Sequence, residues 1–356
     1  MTETLEIGRK WMGQYKGMRF GIFGKISTVL ALILAPLATA QANDGQLEAK
    51  FDDQFGTDIR APRDYTPSYH STFEQRIARL AEGSRGRIGV AAVDLSTGER
   101  VSVLGDQAFP MASTSKIAIA AAYLDKVERG QLSLTSEFPL MVPVRSTPFS
   151  TAIAPVRRGE YMSAGRLIDL MLTRSSNTAT DALLAAVGGP DAVNAWARSV
   201  GITDFRLTRD IATLVRDDGE FDPAVHVDLR DSATPAAMVQ LLSGIYQGRW
   251  LSAESRAVII SAMERCRTGT RRIRANMPGN VTVAHKTGSL NNTSSDIGIL
   301  TAPDGRSIAL AIYVTGQGTR LNREARIAEI ARAIYDGYSA SGRQMANSGY
   351  AVSAGS

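Results

Sequence analysis

Strand-forming runs lie at both ends of this chain's folding region, and the long middle between them is helical. Ile88–Leu95 and Arg100–Leu104 are joined by Ser96-Thr97-Gly98-Glu99 and read as a hairpin. Strand character returns at Val281–His285, Asp296–Thr301 and Ser307–Val314. Pro303-Asp304-Gly305 supplies a turn between the last two, since Pro presets φ and Gly supplies a positive one. The spacing in between predicts helices over Ser113–Arg129, Ser163–Leu172, Thr178–Ala186, Pro190–Val200, Thr234–Tyr246 and Ser252–Met263. Thr234-Pro235 is an N-cap followed by Pro at the first helical position. A helix also precedes the first strand. It opens on the capping box Ser71-Thr72-Phe73-Glu74, repeats Phe73, Ile77 and Leu80 along one face, and meets Gly83 as a stop. Asn322–Tyr335 is an amphipathic closing helix. The pattern predicts an α/β (α+β) fold. Its antiparallel five-stranded sheet is flanked by the terminal helices, and an all-α lobe is inserted between the second and third strands. A cleft between two such lobes is a natural place for a site.

The boundaries follow from composition. Residues 1–42 read as a signal peptide: a basic stretch ends at Lys25, an apolar run covers Ile26–Leu37, and Ala38-Thr39-Ala40 and Ala40-Gln41-Ala42 are small-x-small signals. Cleavage is expected after Ala42, with Ala40 as second choice, and Met18 competes with Met1 as the start. The apolar run is shorter than the ~20 residues of a spanning helix, so no stable membrane anchor is expected after cleavage. The product is expected in the periplasm or secreted. Residues 43–70 are a polar linker and 341–356 a flexible tail. The catalytic domain spans 71–340, with an α/β lobe over 71–111 and 265–340 and an all-α lobe over 112–264.

Charge and cysteine content remove other classes. The net charge is +5, but Arg9, Lys10, Lys16, Arg19 and Lys25 against Glu3 and Glu6 place most of it in the leader. The remaining excess is too small to argue for nucleic acid. Cys266 is the single cysteine and the three histidines are scattered, so neither a disulfide nor a metal centre is expected, and no cofactor is implied.

Three short segments carry chemistry. Ser113-Thr114-Ser115-Lys116 opens the first long helix, where position i+3 returns to the same face and the Lys amine can reach the Ser hydroxyl. Free N–H groups at a helix start favour a developing oxyanion. The following Ile117-Ala118-Ile119-Ala120-Ala121-Ala122-Tyr123-Leu124 is apolar on nearly all faces, which implies a buried helix whose Lys116 is not simply a solvated surface lysine. Lys286-Thr287-Gly288 follows an apolar run. Its Gly allows another extended backbone to approach, and its Lys and Thr can hold a carboxylate. Ser175-Ser176-Asn177 lies between two helices, where Ser and Asn can relay a proton or bind an amide.

Ser-x-x-Lys, Ser-Asp-Asn and Lys-Thr-Gly in this order are the motif set of class A β-lactamases and penicillin-binding proteins. The chain resembles that family over roughly residues 71–340. Phe109–Lys116, Met171–Ala179, Ala284–Ser289 and Arg230–Pro235 resemble its nucleophile, Ser-Asp-Asn, Lys-Thr-Gly and omega-loop-closing segments. The resemblance implies Ser113 as acylated nucleophile and Lys116 as base or proton relay. It implies Ser175 as proton donor to the leaving nitrogen, with Lys286 supporting the proton path and the substrate carboxylate. Asn177, Thr287 and Ser289 would bind substrate, with the N–H groups of Ser113 and Ser289 as oxyanion hole. Arg272 resembles an Arg that some members use for the substrate carboxylate.

Two departures stand out. Ser176 replaces the motif's Asp. In Arg206-Leu207-Thr208-Arg209-Asp210-Ile211, Ile211 holds the place of the family's omega-loop Glu, and Ile cannot activate water. The stretch from Arg209 to Asp231 is about seven residues longer than usual for the family. Counted back from Asp231, the base position falls on Asp218, so Asp218 or Glu220 is the candidate deacylation carboxylate. The resemblance implies a serine β-lactamase of class A type. Its alternatives are a D,D-peptidase or other acyl hydrolase with slow β-lactam turnover, and a non-catalytic peptidoglycan-binding module. The expected partner is a β-lactam or peptidoglycan-like small molecule, and the expected state is a monomer.

Overall fold

The computed structural model describes residues 59–60 and 71–353, with side chains over 71–340. The signal-peptide reading of 1–42, and all of the linker 43–70 except Ile59–Arg60, lie outside the described residues. Five strands form the main sheet: β1 Ile88–Asp94, β2 Arg100–Val103, β3 Thr282–Leu290, β4 Thr293–Thr301 and β5 Ser307–Thr315. Their spatial order is β3-β4-β5-β1-β2, every pair antiparallel. The helices are α1 Thr72–Leu80, α2 Lys116–Glu128, α3 Ala164–Thr173, α4 Asn177–Val187, α5 Gly189–Ser199, α6 Ile211–Arg216, α7 Pro235–Tyr246, α8 Ala253–Glu264 and α9 Arg320–Ser353.

The sheet is covered on both faces, so its strands read as continuous apolar runs and not as an alternation. Ala91, Val93, Ala309, Ala311 and Tyr313 pack toward the helical lobe. Their neighbours Val90, Ala92, Ile308, Leu310 and Ile312 pack with Ile77, Ile330 and Ile334 of the two terminal helices. The capping box forms as the sequence implies: Ser71 Oγ accepts from Glu74 N at 3.0 Å, and the Glu74 carboxylate accepts from Ser71 N at 3.0 Å. Ser163, Thr234 and Ser252 each N-cap the helix that follows. The expected starts of those helices were therefore their caps.

The structure corrects the helical reading of the middle in two places. Glu137–Pro143 pairs antiparallel with Val156–Ser163, with a register shift between Pro139 and Met141. This hairpin is largely half-exposed, so burial imposes no clean period on its sequence. Phe109–Pro110, Ser232–Ala233 and Phe205–Arg206 form a small three-stranded sheet that brings the start of the nucleophile segment beside both ends of the long loop. Within that loop, Val227–Asp228 pairs with Ile59–Arg60, so part of the expected linker is a strand.

Candidate active site

Ser113 does not begin an α-helix, as the sequence reading had it. It lies in a 3₁₀ turn, Ala112–Ser115, and the α-helix starts at Lys116. Ala112 holds φ at +48°, a region that costs a non-glycine residue roughly 1–3 kcal/mol and must be held by its surroundings. Two hydroxyls hold it: Thr114 Oγ1 donates to Met111 O at 2.8 Å and Ser115 Oγ to Ala112 O at 2.9 Å. Both are buried, and Ser113 alone of the turn's four residues is partly exposed. A 3₁₀ turn eclipses positions i and i+3, so Ser113 and Lys116 still share one side.

Lys116 and Lys286 are fully buried. Lys116 Nζ donates to Asn177 Oδ1 at 2.7 Å, Ser175 O at 2.9 Å and Ser175 Oγ at 3.1 Å. Lys286 Nζ donates to Ser175 Oγ and to Thr287 O, each at 2.9 Å. Ser175, at φ +57°, thus joins all three motifs. A hydroxyl has two acceptor positions and one proton. With both acceptor positions taken by lysines, the Ser175 proton is left to be given away. Ser176, in place of Asp, caps α4 by accepting from Ala179 N at 3.3 Å.

Charge at this hub is unfavourable. Burial pushes the Lys116 amine well below the usual lysine range, the Lys286 cation pushes it further, and the Asp181 carboxylate partly opposes them. Burial brings Lys286 down to about 8, while Cys266 and Asp296 pull the other way. Burial and the neighbouring cation thus favour the neutral amine of Lys116, the form that can accept a proton.

Strand β3 runs through Lys286-Thr287-Gly288 as the edge of the sheet. Gly288 is required there: a Cβ would meet Met111 O at 2.7 Å, Ala112 Cβ at 3.1 Å and the Ser295 hydroxyl. The strand therefore packs its backbone against the nucleophile turn. Ser289 is exposed at its end. Arg272 is not available to a substrate carboxylate. It is 1% exposed, and its five N–H donors go to Gly288 O, Ser295 O, Ser289 Oγ and twice to Glu324 Oε1. It orients Ser289 and ties β3 to β4.

The long loop is clasped at its neck. Asp231 accepts from Thr208 N at 2.8 Å, Arg209 N at 3.0 Å and Arg209 Nε at 2.6 Å. Neither sequence candidate for the deacylation carboxylate is bonded to the lysine hub. Both oxygens of Asp218 accept from Asn291 N, and Glu220 pairs with Arg230 at 2.7 Å. The sequence reading missed Asp181, which is 6% exposed and accepts from Ile211 N at 2.7 Å and Ala212 N at 2.9 Å. Burial raises its carboxyl to about 7, against those two N–H donors and the Lys116 charge. Its position four residues after Asn177, on the same face of α4, is the signal that could have found it.

This chain and its fold have relatives. Residues 72–338 match the model of the beta-lactamase enzyme family. The chain is 34% identical over 270 residues to the beta-lactamase CTX-M-25 of Escherichia coli, covering 74% of this chain and 89% of that protein. An ancestral (GNCA) class A beta-lactamase is similar in structure at a TM-score of 0.65 and 34% identity, covering 75% of this chain and 100% of that one. A beta-lactamase from Chitinophaga pinensis is similar at a TM-score of 0.66 and 27% identity, covering 75% and 100%.

Proposed function

Because the chain belongs to the beta-lactamase enzyme family, we propose that it is a serine hydrolase of class A type that opens the β-lactam amide through an acyl-enzyme on Ser113. The observation that carries this reading is Ser175 Oγ held by both buried lysines, with its proton left to donate. In the acylation step Ser113 Oγ attacks the lactam carbonyl carbon and its proton passes to neutral Lys116. The C–N bond breaks and Ser175 protonates the ring nitrogen, drawing on Lys116 in turn. N–H groups of Ser113 and Ser289 receive the carbonyl oxygen. Thr287 and Ser289, the latter fixed by Arg272, receive the substrate carboxylate, and Asn177 its side-chain amide. Water then attacks the ester and frees Ser113.

Release is the slower half in this reading. A positioned general base contributes about 10²–10⁴-fold. Ile211 is apolar and buried, its N–H is spent on Asp181, and Asp218 and Glu220 are bonded elsewhere. These observations favour a second reading alongside the first, a penicillin-binding acyl hydrolase with slow β-lactam turnover. Among the described residues no helix is long and apolar enough to cross a membrane. The basic, apolar and small-x-small pattern of residues 1–42 reads as a signal peptide, and that reading favours action in the periplasm or outside the cell. The test is hydrolysis of a chromogenic cephalosporin by the wild type and Ser113→Ala, with intact-mass spectrometry after penicillin exposure. Turnover by wild type alone supports hydrolysis, and a long-lived adduct on wild type alone supports slow release. The absence of both turnover and adduct would overturn the assignment.

A further inference from the structure

We propose that Cys266 is a modification site for small hydroperoxides, and that its oxidation state is passed to the substrate-binding strand through Thr268 and Thr287. Cys266 follows α8 and is 6% exposed, within reach of a molecule the size of water. Its Sγ lies 3.3 Å from Thr268 Oγ1, which lies 2.6 Å from Thr287 Oγ1. Two hydroxyls therefore connect the sulfur to the Lys-Thr-Gly strand.

An oriented imidazole, His285, interacts with the thiol. His285 is fully buried, and its Nδ1 lies 2.9 Å from both oxygens of the buried Asp296. Its Nε2 is buried without a well-formed hydrogen bond. Since Nδ1 is taken by Asp296, the action of the ring on Cys266 runs through the Nε2 side. Burial would keep the thiol protonated, but His285 and Thr268 outweigh it and bring the thiol down to about 7. Burial would likewise strip His285 of its proton, and Asp296 and Cys266 hold that proton up to about 9. Lys286 adds a further positive charge nearby. Thiolate, proton donor and orienting carboxylate are the parts of an activated nucleophile, and the acyl-transfer site uses none of them.

The step balances as follows. The Cys266 thiolate attacks the distal oxygen of the hydroperoxide. An S–O bond forms, the O–O bond breaks, the sulfur gives up two electrons, and the leaving oxygen takes the Nε2 proton. The products are a sulfenic acid, neutral His285 and water or an alcohol. The added oxygen displaces Thr268 from Thr287. On the proposed acyl-transfer reading this weakens carboxylate binding, so KM rises more than kcat falls.

Because Cys266 is the single cysteine, Cys266→Ala is a clean blank. Hydrogen peroxide with dimedone, followed by peptide mass spectrometry, reads sulfenic acid on the native protein. Thiolate ultraviolet absorbance against pH, wild type minus Cys266→Ala, reads the ionisation without disturbing His285. The expected results are dimedone capture at Cys266 and a thiolate midpoint near neutral pH. Capture should also be about tenfold faster than in His285→Gln, the ratio of thiolate fractions at neutral pH for a depressed and an ordinary thiol. No capture on the native protein, or an ordinary thiol midpoint near 8.5, would overturn the site. The link to Thr287 is read as an increase of about threefold or more in KM for a β-lactam after peroxide, absent in Cys266→Ala. An unchanged KM overturns the link. An untreated enzyme that turns over no β-lactam overturns the acyl-transfer reading, and the capture result still decides the site.

Discussion

Gly288→Ala tests whether the contact between β3 and the nucleophile turn sets catalysis. The new Cβ would lie 2.7 Å from Met111 O and 3.1 Å from Ala112 Cβ. Reaching ordinary van der Waals separation requires about 0.7 Å of relief at the carbonyl, shared between strand and turn. The turn yields poorly, because Met111 O already accepts from Thr114 N and Thr114 Oγ1, and Thr114 Oγ1 lies 3.0 Å from Tyr313 OH. Overpacking of this kind costs about 1–3 kcal/mol of stability. The larger effect falls on geometry: a misplacement approaching 1 Å costs on the order of 10²-fold in rate, or about 2.7 kcal/mol of barrier. The expected outcome is a fall of about 10²-fold in kcat/KM for a chromogenic cephalosporin and a matching fall in the rate of labelling by a fluorescent penicillin. Far-ultraviolet circular dichroism should stay native. Gly279→Ala is the control, since a Cβ there meets nothing within 4 Å and the backbone is unstrained. Labelling within twofold of wild type in a folded Gly288→Ala protein would refute the argument that this contact positions Ser113.

Other substitutions follow from the buried charges. Lys286→Gln removes the cation that disfavours the Lys116 ammonium, so the acid limb of the penicillin-labelling pH profile should move to higher pH; an unmoved limb excludes the coupling. The Asp181 carboxyl, at about 7 when folded against ~3.9 unfolded, binds its proton more tightly in the native state. Its contribution to stability is therefore present below about pH 4 and lost as pH rises through about 7. Asp181→Asn should flatten that part of the urea-midpoint profile, and retention of the full decline would show that other groups cause it. Arg272→Ala leaves Glu324 half-paired and three acceptors on β3, β4 and Ser289 empty, so unfolding should be easier by about 3 kcal/mol. Arg272→Lys should recover only part of that loss, because an ammonium cannot reproduce the planar fork.

Local rules made much of this molecule legible. The capping Ser71, Ser163, Thr234 and Ser252 marked helix starts because a cap depends on neighbours three residues away. The all-round apolar run after Lys116 announced its own burial. The hairpin at 137–163 was not legible, because its half-exposed strands have no face that must be apolar. A count along the chain points to Asp218 and Glu220, but the path of that loop is set by distant partners: Asp231 at its neck, Asn291 in the β3–β4 turn, and Ile59–Arg60 against Val227–Asp228.

By itself the sequence determined the order of the five main strands and of most helices, and it proposed Ser113, Lys116, Ser175, Asn177 and Lys286 as site residues, because period, caps and short motifs are properties of neighbouring residues. Tertiary structure alone decided that Ser175 joins two buried lysines, that Arg272 spends all its donors inside the protein, and that Asp181 rather than the omega loop supplies the buried carboxylate near Lys116. These are contacts between segments tens of residues apart, and burial gives them their charge states. No count along the chain reports either.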